Sequence, residues 1–245
     1  LHDATRSTKS PLTFTPDFDW HAAWSPSGDQ IAFFQPQGSS RGISLVSTKG
    51  GAVQNLVPGE HPNWSRDGRY LIYDNQGDLW YIDMTGTPQP FSLLQTPFFE
   101  TQPVFSPDGR HAAFVSTESG RSEVYVILFP LTDGDRWQVS IDGGTAIRWS
   151  AQSNEIFFVE PNMEFNGGTL MVAAIDTSED FNSGIPQRLF TGEQLRSSMR
   201  GGSSPHYDVT GDGQRIVIPQ RIGADSDTYI IAIVQNWYAE FKDQQ

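Results

Sequence analysis

Three of the five histidines in this 245-residue chain share one slot of a repeating pattern. His21, His61 and His206 each stand three residues before an anchor, Trp24, Trp64 and Val209. Gln102 and Ala146 hold the same slot before Phe105 and Trp149. Neutral imidazole is a common ligand of transition metals, and imidazoles that return to one height of a fold can converge on an ion. A polar lining of a wet channel needs the same residue types, so metal ligation and plain solvation both stay open, and the metal is unknown. Arg196 and Arg200 flank the segment RSSMR close to His206 and have the planar guanidinium that meets anionic groups. A Gly/Ser-rich tether is the plainer reading of that segment. His21, His61, Gln102, His206, Arg196 and Arg200 form the candidate ligand-binding set.

Other chemistries find less support. Carboxylates are plentiful, Asp19, Glu60, Glu100 and Asp208 among them. A glycosidase needs two of them about 5–10 Å apart across a sugar, and spacing along the chain shows no such pair. There is no G-x-S-x-G elbow and no Ser-His-Asp set. The absence of cysteine excludes disulfides, thiolate catalysis and Cys–Zn centres. A net charge of −13 with no basic run argues against nucleic acid. No apolar stretch approaches the roughly 20 residues that a membrane helix requires. The reading is therefore non-enzymatic and without cofactor. A propeller enzyme of glycosidase or lactonase type, with a polar or metal site, is the alternative.

The elements that carry the slot come from an internal repeat. WSPSGDQIAF (24–33), WSRDGRYLIY (64–73), VFSPDGRHAAF (104–114), WSAQSNEIFF (149–158) and VTGDGQRIVI (209–218) are five copies of one phrase. The anchors 24, 64, 105, 149 and 209 lie at intervals of 40, 41, 44 and 60. A period near 40 with several short strands per unit predicts a β-propeller of four-stranded antiparallel blades. Strand a ends at the anchor, and S-P-D-G makes a tight turn through proline's fixed φ and glycine's freedom. Strand b follows (QIAFF, YLIYD, HAAFV, EIFFV, RIVIP), then strand c (ISLVS, LWYID, VYVIL, LMVAAI, YIIAIV), then a weaker strand d (AVQNLV, QPFSLL, RWQVSI, PQRLFT). The fifth unit has no convincing strand d. SPLTFT at 10–15 resembles PQRLFT and is expected to complete the last blade and close the ring, removing exposed edges. The expectation is one all-β domain over 1–245 with five blades; the alternative is part of a propeller of six or more. An opening at Leu1 reads as a mature or trimmed product. In this topology the slot begins strand a at the end where d–a links and b–c loops emerge, called the top here. The long segments 160–168 and 191–206 belong to that end, and the S-P-D-G turns to the other.

These repeats resemble the WD40-like (PD40) repeats of TolB-type propellers. FFETQPVFSPDGRHAAFVSTESGRSEVYVILFP (98–130) with RWQVSIDGGTAIRW (136–149), and the ending DVTGDGQRIVI with IIAIVQNWYAEF, are similar to the C-terminal propeller regions of bacterial receptor-like serine/threonine protein kinases. That resemblance implies a sensor or protein-interaction module of a larger bacterial protein, periplasmic or otherwise extracytoplasmic, with cytoplasm as the alternative. It implies a protein or peptide partner on the top face. Kinase activity is not implied, because the Gly-rich loop and the V-A-I-K, H-R-D and D-F-G motifs are missing.

Overall fold

A computed structural model describes residues 2–3, 8–14, 18–37, 40–130, 136–152, 154–161, 168–178, 180–191, 207–210, 214–221 and 229–235. Every regular element among them is a β-strand. Sheet 1 comprises Trp20–Trp24, Gln30–Gln37, Ser40–Ser47 and Gln54–Val57, paired antiparallel in chain order. Sheet 2 repeats this with Glu60–Trp64, Tyr70–Asn75, Asp78–Asp83 and Pro90–Leu94. Sheet 3 uses Glu100–Phe105, His111–Ser116, Glu123–Leu128 and Arg136–Gln138. Sheet 4 has Thr145–Trp149, Glu155–Glu160 and Thr169–Asp176, with Asn182–Ser183 and Gln187–Thr191 both paired to the third. Sheet 5 holds Asp208–Val209, Arg215–Arg221 and Tyr229–Gln235. These are strands a to d of five successive repeats, the fifth lacking strand d among the described residues.

The repeated phrase is a turn held by its serine. The Ser65 hydroxyl accepts the Tyr70 N–H at 2.8 Å and donates to Asp67 Oδ1 at 2.6 Å, while the Gly68 N–H closes the turn onto the Ser65 carbonyl. Gly68 has φ +73°, open to glycine and strained for other residues. Ser25 and Ser106 receive the backbone N–H of Gln30 and His111 in the same way, as do Ser150 and Thr210 those of Glu155 and Arg215. The hydroxyl at this position recurs even where Pro, Asp and Gly have gone. The S-P-D-G phrase is therefore architectural.

The chain divides into two compact units, Leu1–Pro103 and Val104–Gln245, and passes from one to the other within strand a of sheet 3. In the first, sheets 1 and 2 share a core of Ala32, Ile43, Leu45, Leu71, Tyr73 and Ile82. In the second, Val124, Val126 and Ile147 pack with Ile156, Phe158 and Ala173 between sheets 3 and 4. Phe157, Leu170, Ile216 and Ile218 do so between sheets 4 and 5. Near-continuous apolar runs in strands b and c, whose successive side chains point to opposite faces, supply both faces of each sheet, as burial on two sides demands.

The anchors Phe105 and Trp149 are buried, but Trp24 is 52% exposed. Trp64 shows the reason: it reaches back, its Nε1–H donating to the carbonyl of Ala23 in sheet 1. An anchor packs onto the sheet before it, and no four-stranded sheet precedes sheet 1 among the described residues. Ring closure by 10–15 is not confirmed, since 10–14 belong to no strand. Leu12 instead rests on Ile31, Phe33 and Val46, and the Thr13 hydroxyl donates to Asp19, local contacts that leave this stretch irregular.

Candidate functional site

The repeated slot has a backbone signature. His21, His61, Gln102 and Ala146 all adopt left-handed conformations, with φ of 53°, 51°, 54° and 58°. A non-glycine residue in that region costs about 1 kcal/mol or more. Pairing in strands a of sheets 1, 2 and 4 slips at the slot, between Trp20 and Ala23, Glu60 and Asn63, and Thr145 and Arg148. This is a β-bulge, which bends the strand and re-aims side chains that would otherwise alternate between faces. Ala146 takes the conformation with nothing to offer a ligand. The bulge therefore belongs to the fold, and the imidazoles at His21 and His61 need a separate explanation.

In the first unit the bulges bring polar groups together. The His21 and His61 rings lie 3.9 Å apart, centroid to centroid, tilted by 33°. His61 Nδ1 is 2.7 Å from Asp74 Oδ1. An ionised carboxylate only accepts, so Nδ1 carries the proton and Nε2 presents its lone pair. The same Asp74 oxygen accepts the Gln102 backbone N–H at 3.0 Å. Gln102 thus enters the site through its main chain. Glu60, adjacent to His61, completes a group in which one donor atom each from His21, Glu60 and His61 lies within 4.8 Å of the others. Both ring nitrogens of His21, and Nε2 of His61, are buried without a hydrogen-bond partner among the described residues. Burial, and secondarily the charge of a protonated His61, lower the pKa of His21 to about 4, so it is a neutral donor near pH 7.

Tight backbone packing holds this arrangement. Gly59 has φ +145°, and a Cβ there would fall 2.5 Å from the Tyr73 ring and 2.8 Å from the Asp74 carbonyl oxygen. Only glycine brings strand a of sheet 2 so close to strand b at Asp74. Nearby, Glu100 is fully buried, accepts the Thr96 hydroxyl at 2.6 Å, and donates its N–H to Gly77. Gly77, in the turn between strands b and c, has a Cβ position only 2.9 Å from the Phe99 ring.

Of the six residues singled out from sequence, three come together in the first unit: His21, His61 and Gln102. His206, Arg196 and Arg200 lie outside the described residues, as do most of 160–168 and 191–206. Asp74 was missed. Its signal was in the pattern: the strand-b residue facing the bulge is Phe34 in sheet 1 and Val159 in sheet 4, but Asp74 in sheet 2.

Comparison with known proteins places this geometry in a fold. Crystalline TolB from Acinetobacter baumannii superposes with a TM-score of 0.71 at 18% identity, over 91% of this chain and 53% of that one. A second TolB-type structure, from Agrobacterium tumefaciens, gives 0.58 at 19% identity over 76% and 69%. The chain has a TolB-like β-propeller fold. A chain from a nidogen/laminin complex is similar too, with a TM-score of 0.57 at 13% identity over 89% of this chain and 75% of that one. By sequence, an uncharacterized protein of Agrobacterium fabrum is 37% identical over 79 residues, 31% of this chain and 26% of that protein. The chain thus spans about a quarter of this curated relative and about half of the A. baumannii TolB. No protein-family model matches. No helix among the described residues is long and apolar enough to cross a membrane.

Proposed function

We propose that the chain is a non-catalytic binding module that takes a protein or peptide partner at the end of its blades where the d–a links emerge. The observation that carries this reading is a set of exposed aromatics at that end. Phe18 (80% exposed), Trp20 (51%), Phe98 and Phe99 (65%) lie in the links before strands a of sheets 1 and 3 or at their start. Exposed aromatic clusters beside polar groups are the composition of protein-binding surfaces, where such side chains become the anchors of an interface. The nidogen/laminin structure supplies a precedent for this fold within a protein complex. The module belongs to a larger bacterial protein, of the kind found C-terminal to receptor-like serine/threonine kinases, and works outside the cytoplasm.

Site-specific photo-crosslinking tests the reading. A benzophenone amino acid at position 20 or 99 should yield one discrete adduct in cells, and at Arg66 or Thr85, on the opposite turns, none. The protein identified in that adduct, once purified, should bind the wild-type chain. The exposed double variant Trp20→Ala with Phe99→Ala should lose at least about tenfold in affinity, as loss of interface anchors entails. Equal adducts from both ends, or unchanged affinity in the double variant, would overturn it.

A further inference from the structure

We infer that His21, Glu60 and His61 form a binding site for one divalent transition-metal ion of the Zn2+ type. Consecutive residues of a regular strand point to opposite faces. The left-handed residue at His61 breaks that alternation, and donor atoms of Glu60 and His61 come within 4.8 Å of each other and of His21. Two imidazole nitrogens and one carboxylate oxygen are a donor set suited to Zn2+ and its neighbours, whereas Ca2+ and Mg2+ call for oxygen ligands throughout.

Two further features fit a metal better than a plain polar lining. Buried polar atoms are nearly always hydrogen-bonded, yet three imidazole nitrogens here have no partner among the described residues. A solvated rim would expose them, and a structural core would have replaced them with apolar rings. The second feature is Asp74. Metal-ligating histidines characteristically donate their other N–H to a carboxylate, which fixes the tautomer and raises ligand basicity. Asp74 does this for His61 at 2.7 Å, and the Gln102 N–H at 3.0 Å holds Asp74 in turn. Ion–ligand bonds of about 2.0–2.2 Å require these donors, which lie within 4.8 Å of one another, to draw in by roughly 1 Å through rotation of the glutamate and imidazole side chains. Three protein donors leave a tetrahedral ion one position for water or for a group from a bound molecule.

The test uses tag-free protein stripped with a chelator and titrated with Zn2+ by calorimetry, and with Co2+ by visible absorption. One equivalent should bind, and Co2+ should develop a d–d spectrum. Binding should vanish in His21→Ala and fall steeply in Glu60→Gln. Asp74→Asn should weaken it roughly 10–100-fold, the cost of losing a partner behind a ligand. Asp142→Asn, which removes an exposed carboxylate elsewhere, should change nothing. Imidazole nitrogen NMR of the wild type gives a reading that no variant's folding can confuse: Zn2+ should shift His21 and Nε2 of His61 while Nδ1 of His61 keeps its proton. Absence of saturable one-equivalent binding, equal binding in His21→Ala and Glu60→Gln, or Zn2+-induced shifts confined to other histidines would each overturn the site.

Discussion

Asp74 ties the strands a that carry His61 and Gln102 to strand b of sheet 2, and removing it tests that role. Its carboxylate is 8% exposed and one oxygen accepts from both His61 Nδ1 and the Gln102 backbone N–H. Asp74→Ala strands both donors. Each buried donor left without an acceptor costs about 1–3 kcal/mol. Part of that sum returns, because the variant no longer buries a carboxylate, leaving a net loss of about 2–4 kcal/mol. Asp74→Asn keeps an acceptor oxygen of the same shape and should lose only about 1 kcal/mol, the difference between a charged and a neutral hydrogen bond. Urea denaturation followed by tryptophan fluorescence measures both, with an unchanged slope required for the comparison. Hydrogen exchange at the Gln102 amide should accelerate in the alanine variant and stay near wild type in the asparagine variant. An alanine variant within about 1 kcal/mol of wild type, or an asparagine variant equally damaged, would refute the two-donor account.

Two other outcomes follow from burial. Trp149→Ala should cost about 3–5 kcal/mol, while Trp24→Ala should stay within about 1 kcal/mol, although both occupy the anchor position of the repeat; equal losses in denaturant would show that the repeat, and not local burial, sets the energetics. His111 is buried, with Nδ1 unpartnered among the described residues and its ring 5.6 Å from Phe181, and burial lowers its pKa despite the opposing charge of Asp108. The unfolded chain therefore binds more protons at this residue than the folded one, so its contribution to stability is full above about pH 6.5 and declines as pH falls toward the lowered folded value. His111→Gln should flatten the pH dependence of the denaturation midpoint in that window, and an unchanged slope would exclude the assignment.

The repeat was legible because its signals are local. A serine hydroxyl that caps a turn five residues on, a glycine at φ near +70°, and near-continuous apolar runs in strands b and c each act within ten residues, so the order and approximate bounds of the five repeat sheets could be read from residue spacing, while the pairing of His2–Asp3 with Thr8–Lys9 and the short strand Asn182–Ser183 could not. The three strands a, b and c of sheet 5 were legible for the same reason. The place of 10–15 was not, because a resemblance between SPLTFT and PQRLFT carries no information about what Pro11, Leu12 and Thr13 meet; Leu12 packs on Ile31, Phe33 and Val46, and ring closure is not confirmed.

The histidine slot lies between these cases. Its recurrence three residues before each anchor was written in the sequence, but not that the backbone there turns left-handed, since His21, His61, Gln102 and Ala146 share no side-chain chemistry that demands it. Only pairing of strand a against strand b imposes the bulge. Asp74, some 13 residues from His61 and 28 from Gln102, became a partner of both only once sheets were assembled. Sequence alone determined which residues hold the same position of the repeat. Tertiary structure decided which of them touch, because the register slip that re-aims a side chain is a property of two paired strands and of neither one by itself.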